Sequence, residues 1–410
     1  RVSAGIGMSL GALALSAAPA FAAAPKIDTG DTAWMLTSSA LVLLMTIPGL
    51  ALFYGGMVRK KNVLATGIQA FAVAALVTVL WFACGYSLAY TEGGAWNGVI
   101  RGLSRAFGSG LHGVTHELAK TVPENVFLMY QATFAIITPA IIAGAFAERM
   151  KFSAMMWFMA LWLLLVYVPV AHWVWGEGWL GIRHALDTGG SLFLLLICLS
   201  ALVVGTRRAP TDDTIHLSNS TNIESFSVGL LWLSFPILAC SLQVPVAPLR
   251  SLMMLNLLAA AIGGFSCSGL LRLAFASGGT VPVYGLLTGM AATAAGAVLY
   301  DPMTALICGA AGTVTALIGC SLLKKWTVTA VSTIPLQISI AAAIGMLLPG
   351  LLASSSNGVF HWNRTPIESL IHGKSELLSI QALAVAAVSI WSCGGTAILS
   401  RLLKQQQLTE

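Results

Sequence analysis

The sequence predicts an all-α membrane protein with eleven transmembrane helices, and three observations lead to this prediction. First, 57% of the 410 residues are apolar and only 9% are charged, whereas soluble domains carry about 25% charged residues. Second, the apolar residues fall into long runs, and a run of about 20 residues is what a helix needs to cross a bilayer. Third, basic residues concentrate in short connections at alternate ends of these runs, as membrane topology requires.

The first 22 residues resemble a secretory signal peptide. Arg1 precedes a short apolar stretch, and Ala20-Phe21-Ala22 supplies the small-x-small pattern of a cleavage site. The mature chain is then expected to begin near Ala23. A disordered, alanine-rich tail is the alternative interpretation of the same residues.

Eleven apolar segments follow, and each predicts one membrane-spanning helix. They form one predicted transmembrane domain at 23–404, which is followed by a short tail at 405–410. Glycine-rich stretches blur the bounds of several segments. The segments are 33–57, 62–90, 125–147, 152–174, 190–206, 223–245, 248–271, 280–300, 302–323, 329–353 and 376–400.

Charge predicts the orientation of these helices. Basic residues in short loops mark the cytoplasmic side, so we expect the mature N-terminus outside and the C-terminus in the cytoplasm. The net charge of +6 follows from this topology and does not indicate nucleic-acid binding. The basic residues that fall on the predicted inner side are Arg59, Lys60, Lys61, Arg149, Lys151, Arg207, Arg208, Arg272, Lys324, Lys325, Arg401 and Lys404.

Several other functions are not expected. The seven cysteines all lie in apolar runs, which is typical of small packing residues rather than disulfides. His112 and His116 are four residues apart, a spacing that holds a metal on a helix, but a glycine intervenes and a third ligand is not obvious. The sequence offers no nucleophile–base pair and no phosphate-binding loop. We therefore expect no enzyme, no metal and no cofactor.

Five strings in the first half carry a family resemblance. They are MTIPGLALFYGGMVRKKNVL (Met45–Leu64), GYSLAYTEG (Gly85–Gly93), AGAFAERMKFSA (Ala143–Ala154), YVPVAHWVWGEGWL (Tyr167–Leu180) and HALDTGG (His184–Gly190). In this order and spacing they resemble the ammonium transporter (Amt/Mep/Rh) family. The second half resembles it through span lengths, scattered glycines and short strings such as GLLASSSNG.

The resemblance implies a fold, a substrate and a location. The family fold is a channel of eleven helices, with a 5+5 inverted repeat followed by a final helix. It implies passage of ammonium or ammonia across the cytoplasmic (inner) membrane, and assembly as a homotrimer in the lipid bilayer. Family members bind a cytoplasmic P-II regulator through their cytoplasmic surface. The ten residues after the eleventh span offer little surface for this contact, so a P-II partner is not expected.

The resemblance also implies an outer site. The ammonium recruitment site corresponds to Trp175, Phe134 and Ser241, and a stacked aromatic gate corresponds to Tyr130 and Phe134. Aromatic faces attract a small cation, and a hydroxyl accepts its hydrogen bonds. The third aromatic of the family's site falls at Ile237. The alternative is that these aromatics are interfacial or core residues and that Ser241 packs without a ligand.

Asp187 is a candidate from the residues alone. It directly precedes an apolar run, beside two glycines, and carboxylates inside membranes are costly and tend to be functional. Capping the N-terminus of the fifth span is one role, because a carboxylate there satisfies free amides. The resemblance implies a second role, in which the aspartate holds backbone groups beside the conduction path. Both roles stay open at this stage.

The sequence departs from the family at the centre of the pore. Family members carry one histidine in span five and one in span ten, whereas this chain places Leu194 (or Leu195) and Ile338 there, and neither span contains histidine. Leucine and isoleucine cannot solvate a bare cation or relay its proton. We therefore expect passage of neutral NH3. The alternative is a non-conducting subunit used for ammonium sensing or for assembly.

Overall fold

The computed structural model describes residues 27–58, 60–146, 150–207, 221–242, 247–275, 282–323, 330–353, 361–362, 365–366 and 369–406. The expected signal peptide and residues 407–410 of the expected tail lie outside these ranges.

Within the described ranges the chain forms eleven helical segments, here called spans, which confirms the predicted number, and eight of them are long and apolar enough to cross a membrane. Three of them contain a π turn. Span 1 is Thr29–Leu44, a π turn at Met45–Gly49 and Leu50–Met57; span 2 is Val63–Leu80, a π turn at Trp81–Gly85 and Tyr86–Tyr90; span 4 is Phe152–Trp162, a π turn at Leu163–Tyr167 and Val168–Trp175. The others are span 3 Glu124–Phe146, span 5 Ser191–Arg207, span 6 Thr221–Cys240, span 7 Ala247–Phe275, span 8 Tyr284–Ala291, span 9 Pro302–Leu322, span 10 Ala330–Leu352 and span 11 Glu376–Gln406.

The contacts between spans agree with a 5+5 repeat. Span 1 packs on span 6, and span 5 packs on span 10; these are pairs that a repeat of five spans relates to each other. Span 11 stands outside the repeat and packs against spans 4, 5 and 10. The resemblance predicted this arrangement correctly.

Span 8 differs from its prediction. A full crossing was expected over 280–300, but the helix Tyr284–Ala291 has eight residues, and a 3₁₀ turn at Ala294–Gly296 follows it. Eight residues rise only about 12 Å. The break frees backbone groups inside the protein, and non-helical backbone at that depth needs partners from neighbouring segments.

The connection between spans 2 and 3 is folded onto the helices. It contains a β-hairpin of Thr115–His116 and Ala119–Pro123. Arg105 makes a two-pronged ion pair with Glu124, with Nε–Oε1 at 3.0 Å and Nη2–Oε2 at 3.1 Å. Its hydrogen bonds to Glu124 raise the pKa of the Arg105 guanidinium, so the guanidinium stays charged. His116 lies on a strand rather than a helix, and its ring stacks on Phe127 at 4.8 Å.

Close packing of spans 7, 8 and 9 depends on glycines. Gly309 of span 9 lies against the backbone of Ala260 in span 7, where an added Cβ would collide with the Ala260 carbonyl oxygen. Gly289 of span 8 lies against the same carbonyl from another side. Small residues at such interfaces let helices approach closely in membranes.

We expect Gly309→Ala to destabilise the protein by about 1–3 kcal/mol, because the new methyl overpacks the contact with Ala260. Gly269→Ala is the matched control: Gly269 lies in span 7 with open space where its Cβ would stand. Alanine is intrinsically the better helix former, so the control should be neutral or stabilising. Thermal unfolding of the purified protein in detergent measures both, and equal melting temperatures would contradict the packing argument.

Candidate functional site

The site is built on spans 3, 4, 5 and 6. Tyr130 and Phe134 lie one turn apart on span 3, and both side chains are buried. Their rings meet edge to face with centroids 5.4 Å apart. Phe134 meets Phe193 of span 5 in the same way at 5.2 Å. The expected pair of aromatics is therefore a cluster of three, and sequence reasoning missed Phe193 because one aromatic in an apolar helix carries no distinguishing pattern.

Ser241 lies at the end of span 6 in a network of hydroxyl and indole groups. Its Oγ accepts the indole N–H of Trp34 at 2.9 Å and is 2.8 Å from the Oγ of Ser38 and 2.7 Å from the carbonyl oxygen of Ile237. Tyr130 donates its hydroxyl proton to the carbonyl of Leu238, so both residues attach to the same last turn.

Trp34 was not among the predicted site residues. It is partly buried near the start of span 1, and its indole is hydrogen-bonded to Ser241. An aromatic ring therefore lies beside Ser241, although the position expected for the family's third aromatic holds Ile237. Its position near the end of a span is also where tryptophans anchor helices at the membrane interface. The sequence alone therefore gave no reason to separate it from an ordinary anchor.

Trp175 and Asp187 are brought together. Trp175 is the last residue of span 4, and its indole Nε1 donates to the backbone carbonyl of Asp187 at 3.3 Å. The connection between spans 4 and 5 thus links the expected recruitment tryptophan to the expected acid.

Asp187 caps span 5. Its side chain is 5% exposed; Oδ1 accepts the backbone N–H groups of Gly190 and Ser191 at 2.9 and 2.8 Å, and Oδ2 accepts that of Leu192 at 2.9 Å. These are amides that a helix N-terminus leaves without partners. Gly190 has a φ of +88°, a left-handed conformation that glycine adopts without strain and that bends the chain back over the carboxylate.

Residues at the start of span 5 also form hydrogen bonds with the backbone at the break in span 8. Thr188 donates its backbone N–H and its hydroxyl to the carbonyl of Ala295, at 3.1 and 2.8 Å. Ser191 donates its hydroxyl to the carbonyl of Ala291 at 3.1 Å and accepts the N–H of Ala295 at 2.8 Å. The backbone groups that the break frees therefore find partners in the segment Asp187–Ser191.

A cavity of about 90 Å³ lies along span 5 from Phe193 to Ala201, and Phe193 is the member of the aromatic cluster that lines it. Leu194 and Ile338, the two residues expected at the family's histidine positions, both line it. Leu195, the other candidate in span 5, is not among the lining residues and is 2% exposed. Of the two candidates in span 5, Leu194 is therefore the one that borders the cavity.

The chemistry of this cavity is apolar. Among the described residues, those that line it include no histidine and no charged side chain. Tyr54 brings a hydroxyl to the lining, but it donates its proton to the carbonyl of Ile141 at 2.6 Å. A small uncharged molecule fits these walls, whereas an ion there would face hydrocarbon on most sides.

An apolar bundle of eleven spans with a broken helix beside an internal cavity defines a membrane transport fold. Comparison with known proteins agrees with it. The model of the Ammonium Transporter Family matches residues 33–407. An ammonium transporter of Bacillus subtilis is 35% identical over 377 residues, which is 89% of each chain. Ammonium transporter Amt1 of Archaeoglobus fulgidus is 31% identical over 383 residues, or 92% of each chain.

A solved structure gives the same result. A Mep2 mutant from Candida albicans superposes with a TM-score of 0.81 at 25% identity, covering 91% of this chain and 85% of its own. The chain belongs to the ammonium transporter family.

Replacement of Asp187 tests the cap. In Asp187→Asn one oxygen still accepts two N–H groups, but the amide nitrogen faces the N–H of Leu192, donor against donor. We expect a loss of about 1–3 kcal/mol of stability, the cost of a buried unpaired group. Asp301→Asn is the matched control, because Asp301 is an exposed cap of span 9 and asparagine caps helices as well as aspartate. Equal shifts in melting temperature for the two variants would contradict this role of Asp187.

Proposed function

We propose that this protein carries ammonium nitrogen across the cytoplasmic membrane as uncharged NH3. The observation that carries the proposal is that Leu194 and Ile338 line one apolar cavity. Phe193 lines the same cavity and joins it to the aromatic cluster, because its ring contacts Phe134, which contacts Tyr130. Ammonium would be recruited as a cation on the outer side, give up its proton to water on that side, and cross the cavity as ammonia.

The outer step uses the groups of the candidate site. Aromatic faces at Trp175 and Phe134 attract the cation through the negative charge of their π systems. Ser241 accepts a hydrogen bond from the indole N–H of Trp34 and donates its single proton to Ser38 or to the carbonyl oxygen of Ile237. An sp³ oxygen has two lone pairs, so the hydroxyl keeps one for an N–H of ammonium. Asp187 acts through the backbone, since its carboxylate is occupied by three backbone N–H groups.

The inner step excludes the charged form. Taking an ammonium-sized ion out of water costs several kcal/mol even after the protein relaxes, unless partners compensate. The walls at Leu194 and Ile338 offer hydrocarbon, and the hydroxyl of Tyr54 is committed to Ile141. Ammonia has no charge to desolvate and requires only an open path.

The orientation and assembly follow the sequence-based expectations. We place the mature N-terminus outside, with the basic connections such as Lys60–Lys61 in the cytoplasm, because basic residues in short loops stay on that side. Three copies are proposed to assemble in the membrane, as the family resemblance implies. Exposed apolar side chains such as Leu64, Phe71 and Ile390 supply surface for lipid or for a neighbouring copy.

Reconstituted vesicles test the proposal. An ammonium gradient should make a pH-sensitive dye report alkalinisation inside, because each NH3 that enters takes up a proton there. On a solid-supported membrane the same vesicles should give no sustained current. Leu194→His combined with Ile338→His supplies two groups that can solvate and relay protons at mid-pore, and we expect this variant to raise the current.

Each outcome has a meaning for the proposal. A robust current from the unaltered protein would contradict the account of the cavity. A dye response no faster than that of protein-free liposomes would contradict transport and favour the alternative of a sensing or assembly subunit.

A further inference from the structure

Gln381 is a fully buried amide in an apolar helix. It lies in the second turn of span 11, with 0% of its side chain exposed. Polar side chains inside membrane proteins are costly and tend to mark functional or interhelical contacts. Span 11 lies outside the 5+5 repeat, so a polar group that it sends inward calls for a physical reason.

The amide of Gln381 holds both backbone groups of a single residue. Its Oε1 accepts the N–H of Leu186 at 2.8 Å, and its Nε2 donates to the carbonyl of Leu186 at 2.7 Å. The remaining proton of Nε2 goes to the carbonyl of Met346 in span 10, at 2.9 Å. Gly350 permits this approach, because a Cβ there would lie 2.5 Å from the Cα of Leu378 in span 11.

Two hydrogen bonds to one residue fix the rotation of the peptide planes on either side of it. The plane after Leu186 contains the backbone nitrogen of Asp187. Asp187 then caps span 5 with its carboxylate and accepts the indole N–H of Trp175 with its carbonyl. Gln381 in span 11 is therefore connected to Trp175 through its hydrogen bonds to Leu186, the Leu186–Asp187 peptide bond, and the hydrogen bond from Trp175 to Asp187.

We infer that Gln381 is a positioning residue of the outer ammonium site. It holds the Leu186 peptide so that Asp187 keeps its place over span 5 and Trp175 keeps its orientation toward the site. The inference rests on the proposed function, because it assigns Trp175 to ammonium recruitment. It gives span 11 a role in recognition in addition to packing.

Span 11 also supplies a matched control. Ser392 lies about three turns beyond Gln381 and therefore on the same face of the helix. It is fully buried and donates to the carbonyl of Leu196 in span 5 at 2.7 Å. Ser392→Ala thus removes a buried contact between spans 11 and 5 without touching the Leu186–Asp187 connection.

The test measures ammonium binding to the purified full chain by calorimetry, together with its thermal unfolding. Gln381→Leu keeps the approximate size of the side chain and removes all three hydrogen bonds. We expect the dissociation constant for ammonium to rise by about three- to tenfold. Ser392→Ala should leave the dissociation constant unchanged, even if it lowers the melting temperature as much as Gln381→Leu does.

A second variant guards against misfolding. In Gln381→Glu burial favours the protonated carboxyl, which keeps the acceptor for the N–H of Leu186 and one of the two donations, so its affinity should fall between those of the unaltered protein and Gln381→Leu. In a Trp175→Leu background, Gln381→Leu should weaken binding little further, because both changes act on the same group.

The results separate the two claims. Unchanged affinity in both Gln381 variants, or equal loss of affinity in Ser392→Ala, would overturn the inference. If the unaltered protein binds ammonium but moves none into vesicles, the proposed function fails and the binding measurements still decide the role of Gln381. If it neither binds nor transports ammonium, both proposals are overturned.

Discussion

The structure depends on the need to pair backbone groups inside an apolar bundle. A broken helix at membrane depth is stable only where its free N–H and C=O groups find partners within the protein. Span 8 breaks after Ala291, and the segment Asp187–Ser191 supplies those partners through Thr188 and Ser191. The same segment has its own free amides at the start of span 5, and Asp187 accepts three of them. Two irregular regions, each unstable alone, are therefore stable together.

This arrangement fixes the register of span 5 and hence the character of the pore. With Asp187 bonded to the amides of Ser191 and Leu192, Phe193 faces Phe134 and Leu194 borders the cavity. A shift of one residue would turn Leu194 away by about 100°. Leu194, the residue expected at the position of a family histidine, therefore borders the cavity and does not face away from it.

Much of this was accessible from the sequence, for identifiable reasons. Long apolar runs and basic connections predicted the spans, and an acid placed before an apolar run indicated the cap as one of two roles for Asp187. The break in span 8 was missed, because residues 280–300 are mostly apolar or small and the interruption is settled by contacts with Thr188 and Ser191. Trp34, Phe193 and Gln381 were missed for a related reason: each is a single residue in an apolar helix, and its importance lies in partners distant in sequence. The sequence also could not tell which of Leu194 and Leu195 borders the cavity, because the family pattern can be matched to span 5 with either residue.

The central claim is that the species crossing the cavity is uncharged, and the dependence of uptake on membrane potential tests this most directly. Vesicles with potassium gradients and valinomycin allow the potential to be set at fixed ammonium concentration and pH. A potential of 100 mV is worth about 2.3 kcal/mol for one elementary charge. The account predicts the same initial rate of ammonia entry at 0 mV and at 100 mV, inside negative. A severalfold faster rate at the negative potential would show that a cation crosses the apolar cavity, and would contradict the account.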